Sequence, residues 1–445
     1  MNSVPGQKHR RSFIHDAMVL VGNQFTVMSI GMITGVVLAR CLGASGRGLV
    51  AAVMVYPAIL LSLMDMGVRQ ASAYYIGKGL YSNTQVVGAI TAIVLTVGLV
   101  GAGACAASLQ WMGNPLVTPL ITLLAVAPIP FSIFTSYISG VFLGNRMVGQ
   151  FANIGWLVAL LNLLAAVLLV WLLGWGAGGA LAATVLSKVA VVGYAIWLLS
   201  ALAPIRPRFE WPVMRALLTK GMVYSVALFV ITLNYKVNLV VMGKLSNVDE
   251  IGIFALGVSV AQLTWALPQA ITTALFSHSA TAPDEDVFSG KVMRLFRVTL
   301  LVALILVVGL GLTVPFLIPL VYGEEFRPSV RVIFWLLPGV FCLLGLKVLN
   351  MDLAGRGKPN ASLWAMVPAL AVNGGLSLWL VPRYGAQGAA IASSAAYVLG
   401  GIGMTIVYCR YVGIGFPTLW RYRRSDFYFI EQRFRRGLRA SNGIP

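Results

Sequence analysis

Two stretches, GNPLVTPLITLLAVAPIP at 113–130 and GEEFRPSVRVIFWLLPGV at 323–340, decide how the chain is read. Set against each other, Gly113 falls on Gly323 and Pro128 on Pro338, both 210 residues apart. The spacing returns further along. Gly144 in LGNRM falls on Gly355 in AGRGK, and Asn162 on Asn373, at 211. WGAGGALAATVLS from Trp175 falls on YGAQGAAIASSAA from Tyr384 at 209, which sets Gly176, Gly179 and Ala180 on Gly385, Gly388 and Ala389. The beginnings match more loosely, LGASGRGLVAA from Leu42 with LSNVDEIGIFAL from Leu245. Glycine- and alanine-rich segments resemble one another by composition alone. A near-constant offset over more than 70 residues argues for an internal repeat.

The 445 residues are 59% hydrophobic and only 10% charged, with a mean hydropathy of +0.87. A soluble domain is about half apolar and about a quarter charged, so a soluble globular protein is excluded. Apolar stretches occur at 18–39, 48–68, 84–108, 117–143, 151–173, 178–201, 219–242, 251–277, 293–320, 330–350, 360–381 and 386–410. Each is long enough for a spanning helix of about 20 residues, which gives twelve. The alternation of a β-barrel is absent. Prolines inside spans (Pro57, Pro128, Pro130, Pro268, Pro315, Pro338, Pro368) predict bent helices around an interior. The fold class expected is all-α integral membrane, with two pseudo-repeated six-helix bundles around a central cleft. Six is even, so the halves run the same way across the bilayer. A cleft between such repeats, near the midplane, is where transport substrates bind.

The formal charge is +19, with 32 Lys+Arg against 13 Asp+Glu. In a soluble protein that excess would suggest nucleic acid; here its distribution sets orientation. With the N-terminus inside, the cytoplasmic side carries 24 basic residues and the outer side six. Both termini are therefore expected in the cytoplasm. The segments are 1–17 as a cytoplasmic N-terminal segment, 18–207 and 208–410 as the two bundles, and 411–445 as a basic-aromatic cytoplasmic tail. The first span is too long for a cleaved signal and reads as an anchor. The tail mixes seven arginines with aromatics, which suits an interfacial segment on anionic lipid. The four cysteines and three histidines show no metal-ligand spacing, and no phosphate-binding loop is present. No cofactor and no metal are expected.

The stretch LARCLGASGRGLVAAVMVYPAILLSLMDMGVRQASAYYIGKG, from Leu38 to Gly79, carries Ala39, Arg40, Leu42 and Gly43 as Ala-Arg-x-Leu-Gly. Gly48 follows at the next helix start, and Asp65 and Gly67 form an Asp-x-Gly at its end. It resembles the start of polysaccharide-export flippases of the multidrug/oligosaccharidyl-lipid/polysaccharide exporter superfamily. The likeness covers roughly residues 15–410. It implies a bacterial inner-membrane protein that flips a polyprenyl-diphosphate-linked glycan outward by alternating access. It also implies a cationic interior. The second half departs from the pattern, with Gly-Lys-Leu-Ser at Gly243–Ser246.

Ionisable residues inside a membrane are costly and are functional candidates. Lys188 lies near mid-span in the sixth stretch, with Thr184 one turn away. It reads either as a cleft cation for a diphosphate or acidic sugar, or as a lysine paired internally. Lys236, in the outer half of the seventh span, shares a face with Thr232 and Ser225; Asn234 and Asn238 share another. Asp65 and Arg69, four residues apart, would share one helix face as an ion pair or a gate. Arg40 is a cavity residue, by resemblance, or an interfacial anchor. Arg146, Lys347, Asp352 and Arg356 fall at the cytoplasmic ends of corresponding helices, as a vestibule for an anionic head group or as ordinary anchors. Interior amides, among them Asn23, Gln24, Asn153, Gln262 and Gln269, suit either sugar hydroxyls or helix–helix bonds. The substrate-binding set is thus Lys188, Lys236, Arg40, Arg69, Arg146 and Lys347, and the gating or ion-pair set Asp65, Arg69 and Asp352.

The expected partners are a lipid-linked anionic glycan, membrane lipids, a coupling ion (H⁺ or Na⁺), and a glycan polymerase or glycosyltransferases, with no nucleic acid. Two other readings stand beside the flippase. A drug/cation antiporter of the same superfamily would want a buried acid, and Asp65 is the sole acid within the spans drawn. A membrane-embedded glycan polymerase or acyltransferase would want a large outer loop or a His/acid constellation. Neither is evident, and no enzymatic activity is expected.

Overall fold

The computed structural model describes residues 5–265, 285–356 and 358–422. They form thirteen α-helices with short connections and no strand. In chain order these are α1 Pro5–Met64, α2 Val68–Gly77, α3 Asn83–Met112, α4 Pro119–Val126, α5 Pro128–Gly144, α6 Val148–Ala166, α7 Gly176–Ser200 and α8 Trp211–Leu245. Then follow α9 Val248–Ala261, α10 Glu285–Tyr322, α11 Ser329–Gly355, α12 Leu363–Val412 and α13 Phe416–Trp420.

Among the described residues, ten helical segments are long and apolar enough to cross a membrane. Two are too long for one crossing. Val21–Gly77 has 57 residues and Asn360–Val412 has 53. At 1.5 Å per residue the first would extend about 85 Å if straight, nearly three times a hydrocarbon core of about 30 Å. Each turns back on itself at a glycine, Gly43 (φ 65°, ψ −171°) and Gly385 (φ 53°, ψ −129°), in backbone conformations that a side chain disfavours. Ten segments therefore carry twelve spans, and their described residues lie where the hydropathy places them. For the eighth, α9 and a 3₁₀ turn at Gln262–Trp265 are described; the remainder to 277 lies outside the described residues, as do Pro268 and Gln269.

Local sequence explains the starts. Ser82 and Gln85 form a reciprocal capping box on α3. Thr118 accepts from the Ile121 N–H at 3.3 Å before α4, and Asn247 from the Glu250 N–H at 2.8 Å before α9. The repeat is also visible in the backbone. Gly113 and Gly323, matched by sequence, both leave the third helix of their half with positive φ (68° and 108°). Gly176 and Gly385 do the same before the sixth (57° and 53°).

Call the end holding Gly43, Gly113, Ser246, Gly323 and Gly385 the upper end, and the opposite, Arg/Lys-rich end the basic end. Large apolar side chains such as Leu99, Phe316 and Trp364, each at least 75% exposed, cover the outside of the bundle. That surface suits lipid, where water would penalise it.

One expectation fails locally. The helix that should set Asp65 and Arg69 on one face is broken between Met64 and Val68, with Met66 (φ 42°) and Gly67 (φ 61°) both left-handed. The four-residue spacing no longer aligns the side chains, and no Asp65–Arg69 ion pair forms. Asp65 instead accepts a 2.5 Å hydrogen bond from the Ser136 hydroxyl of α5. The freed Met64 carbonyl accepts another, from Tyr137, at 2.5 Å.

Candidate functional site

The two halves meet along two flanks. On one, α8 of the second half lies against α2 and α3 of the first. A Cβ on Gly221 would sit 2.1 Å from the Met66 carbonyl oxygen, and one on Gly243 would sit 3.3 Å from Met112 Sδ. Lys220 rests its ammonium 3.5 Å from the centre of the Tyr74 ring at the basic end. Lys244 does the same on Trp111 at the upper end, also at 3.5 Å.

These contacts orient α8. At 100° per residue, Gly221, Ser225, Thr232, Lys236 and Gly243 fall within an arc of about 60°. Lys236 therefore sits on the strip turned to the first half. It lies about 10 Å along the helix from Gly243 and about 22 Å from Gly221. Its side chain is half-buried, and among the described residues no hydrogen bond or ion pair engages it.

Lys188 stands at the middle of the 25-residue α7, 12 residues from either end. The lipid-facing side of α7 carries Leu186 (53% exposed) and Trp197 (68%). Lys188 projects roughly 180° away from those two, beside half-buried Thr184. Thr184 accepts from Asn162 of α6 at 3.4 Å. Lys188 too has no hydrogen bond or ion pair among the described residues. Each half thus supplies one lysine in mid-helix, unopposed by an acid among the described residues and turned from the lipid face. An ammonium so placed has the chemistry to pair with a phosphate or carboxylate.

The other candidates are distributed differently. Arg40 is exposed at the upper end, where its Nε donates to the Val321 carbonyl at 2.9 Å and its Nη2 to that of Leu320. It is thus committed to the end of α10. Arg69 is half-buried on α2, with its backbone carbonyl 2.2 Å from where a Cβ on Gly140 would lie. Arg146 is exposed on the turn after α5, with φ 59°. Lys347 holds its ammonium 3.8 Å from the centre of the Trp265 ring, which in turn packs on Tyr235 at 5.3 Å. Asp352 is wholly buried. It pairs with Arg356 at 3.0 Å and accepts from the Tyr408 hydroxyl at 2.8 Å, while Arg356 also donates to Ser289 at 3.0 Å. Among the described residues these four basic-end side chains have separate partners: one pair is sealed, one lysine lies on an indole and one arginine is exposed.

Asn234 and Asn238 belong to a buried amide cluster inside the second half. Asn238 Nδ2 donates to Asn373 Oδ1, Ser377 Oγ and the Ala389 carbonyl at 2.8–3.0 Å; Asn373 Nδ2 donates to Asn234 at 2.8–2.9 Å. The second polar face of α8 is thus internal glue. Asn153 similarly accepts from Trp156 at 3.0 Å. No group of three or more His, Cys, Asp or Glu side chains among the described residues could hold a metal ion.

Sequence reasoning missed Ser136, Tyr408, Trp265 and Glu325, whose partners lie far along the chain. It also missed Arg47, which ties the two arms of α1 through Nη1 to the Gly35 carbonyl at 2.8 Å. Only the arginine at a span start could have drawn notice.

This two-lobed helical arrangement coincides with a match over residues 37–331 to a family described as polysaccharide biosynthesis protein. The chain belongs to that family. No curated protein sequence matches it. Solved structures share its fold at low identity. An inward-facing multidrug resistance MATE family transporter of the MOP superfamily is 15% identical, with 91% of this chain and 98% of that one covered and a TM-score of 0.70. The lipid II flippase MurJ, in an inward closed conformation, is 12% identical, with 95% and 96% covered and a TM-score of 0.68. A MOP superfamily transporter from Pyrococcus furiosus is 14% identical, with 92% and 96% covered and a TM-score of 0.64. The fold is that of twelve-span, two-lobed membrane transporters. This polysaccharide biosynthesis family member is a multi-pass membrane protein whose structural relatives are transporters and flippases.

Proposed function

We propose that the chain flips a polyprenyl-diphosphate-linked oligosaccharide from the cytoplasmic to the outer leaflet of a bacterial inner membrane. It does so by alternating access, for cell-surface polysaccharide synthesis. One observation carries the reading: Lys188 and Lys236, one from each half, face inward without a counter-charge among the described residues. A cationic cleft offsets the desolvation of a diphosphate head while the lipid tail stays in the bilayer. The basic end is the cytoplasmic one in this reading, as the distribution of Lys and Arg supports.

The antiporter alternative would need an acid open to the cleft. Among the described residues of the candidate spans the acids are Asp249 and Glu250 in the first turn of α9, Glu250 accepting from the Ala386 N–H, Asp65, bonded to Ser136, and Asp352, sealed by Arg356 and Tyr408. None of these pairs with Lys188 or Lys236. Gene deletion followed by leaflet-resolved analysis of polyprenyl-linked glycan tests the reading. Intermediates trapped on the cytoplasmic leaflet support it. An unchanged lipid pool with altered drug efflux overturns it.

A further inference from the structure

At the upper end the halves are fastened twice, by residues the repeat makes equivalent. Gly48 and Gly252 occupy matching places in the two halves and cross each other. A Cβ on Gly48 would lie 1.8 Å from the Val248 carbonyl oxygen, and one on Gly252 would lie 2.0 Å from that of Ala44. Arg40 stands eight residues before Gly48, and Lys244 eight before Gly252. Each reaches the last turn of the third helix of the opposite half.

Arg40 bonds the Leu320 and Val321 carbonyls of α10, which ends at Tyr322. Lys244 covers the Trp111 ring of α3, which ends at Met112. The chemistry is matched as well. The last carbonyls of a helix lack intrahelical partners and carry the negative end of its dipole. A ring face is likewise negative. The first fastening has a counterpart running the other way: the Ala44 N–H donates to the Glu325 carboxylate, just beyond α10, at 2.9 Å.

We propose that Arg40 and Lys244 are a matched pair of cationic latches that hold the upper end of the cleft shut, and that the upper end opens when both release. The device rests on the alternating-access part of the proposed function and on no particular cargo. It also accounts for an arginine committed to the rim, where the family resemblance suggested a cavity residue.

The experiment is cysteine labelling in intact cells with a membrane-impermeant maleimide. A reporter cysteine replaces Thr232, on the Lys236 strip, in a chain whose native cysteines are alanine. The wild-type chain, labelled at exposed Cys41 next to Arg40, reports separately whether the upper end faces outward. Arg40→Ala is expected to raise the reporter's labelling rate roughly tenfold, as loss of charge-assisted hydrogen bonds implies. Lys244→Ala raises it roughly two- to fivefold, the scale of an exposed cation–π contact. The double variant exceeds both. Arg40→Lys, which keeps the charge without bridging two carbonyls, falls between wild type and Arg40→Ala. Arg383→Ala is the control. Arg383 bonds the Trp379 carbonyl of its own helix at 2.8 Å and fastens nothing across the halves, so its loss changes nothing. A double variant labelled at the wild-type rate overturns the latches. So does an Arg383→Ala increase equal to that of Arg40→Ala. Because labelling needs no cargo, failure here leaves the glycan assignment standing, and failure of that assignment leaves the latches standing.

Discussion

Gly48 and Gly252 cross with their backbones in contact, where α1 and α9 have no room for a methyl group on either side. The obstacle is backbone, which cannot rotate away as a side chain would. Gly48→Ala must therefore push the two halves apart at the upper end. Overpacking of this kind costs about 1–3 kcal/mol. The expected result is a lower apparent melting temperature in detergent for Gly48→Ala and for Gly252→Ala. An unchanged melting temperature for both would contradict the crossing.

The sealed pair at the basic end predicts a distinctive set of stabilities. Asp352 is fully buried and Arg356 nearly so, which makes either charge expensive when left alone. Arg356→Ala is expected to destabilise by about 3–5 kcal/mol. Tyr408→Phe, which removes one donor, should cost about 1–3 kcal/mol. Replacing Asp352 by Asn in the Arg356→Ala background recovers part of the loss, because the buried side chain no longer carries a charge. A double-mutant cycle on thermal unfolding measures each of these.

Lys188 and Lys236 should matter to transport and little to folding. Lys188→Ala is expected to abolish glycan export with normal insertion and abundance, and Lys188→Arg to retain a fraction of it. Lys236→Ala should reduce export at least roughly tenfold, the scale of a lost charge-assisted phosphate contact. Complementation of a deletion strain, with the protein quantified in the membrane, reads all three. Full export by Lys188→Ala would remove the leading site.

The first residues of the tail are docked on the bundle. Leu419 is fully buried, Trp420 packs edge-on against Phe296 at 5.6 Å, and Arg297 donates to the Thr418 carbonyl at 3.3 Å. Leu419→Ala, at about 2–5 kcal/mol for a buried leucine, should loosen this segment. Faster limited tryptic cleavage at Arg421 is the expected outcome, and unaltered cleavage would count against the docking. The expectation of an interfacial tail on lipid concerns mainly the stretch beyond 422, outside the described residues.

What the sequence made legible follows from periodicity and repetition. Hydropathy located the spans, as far as their residues are described, because every spanning segment must bury its backbone in apolar surroundings, whatever its neighbours. The repeat located Gly113, Gly176 and their partners because equivalent turns need equivalent backbone conformations. Side-chain partnerships were harder. Asp65 and Arg69 looked paired because spacing of four assumes an unbroken helix, and Met66 and Gly67 break it. Asp352 found Tyr408 56 residues away, and Arg40 found Leu320 280 residues away. Such pairings depend on how two bundles pack, and no local pattern encodes that.

The repeat that builds the cleft does not extend to its charges. Under the offsets that match the glycines, Lys188 falls on Tyr397 and Lys236 on Met32. Neither lysine has a twin. A cargo turned half a revolution about the pseudo-axis would exchange one ammonium for a phenol and the other for a thioether. The two orientations are therefore unequal in energy, although the scaffold around them is nearly indifferent. In the proposed reading, the repeat supplies a symmetric vessel, and two lysines outside the repeat would give it a handedness toward whatever it carries.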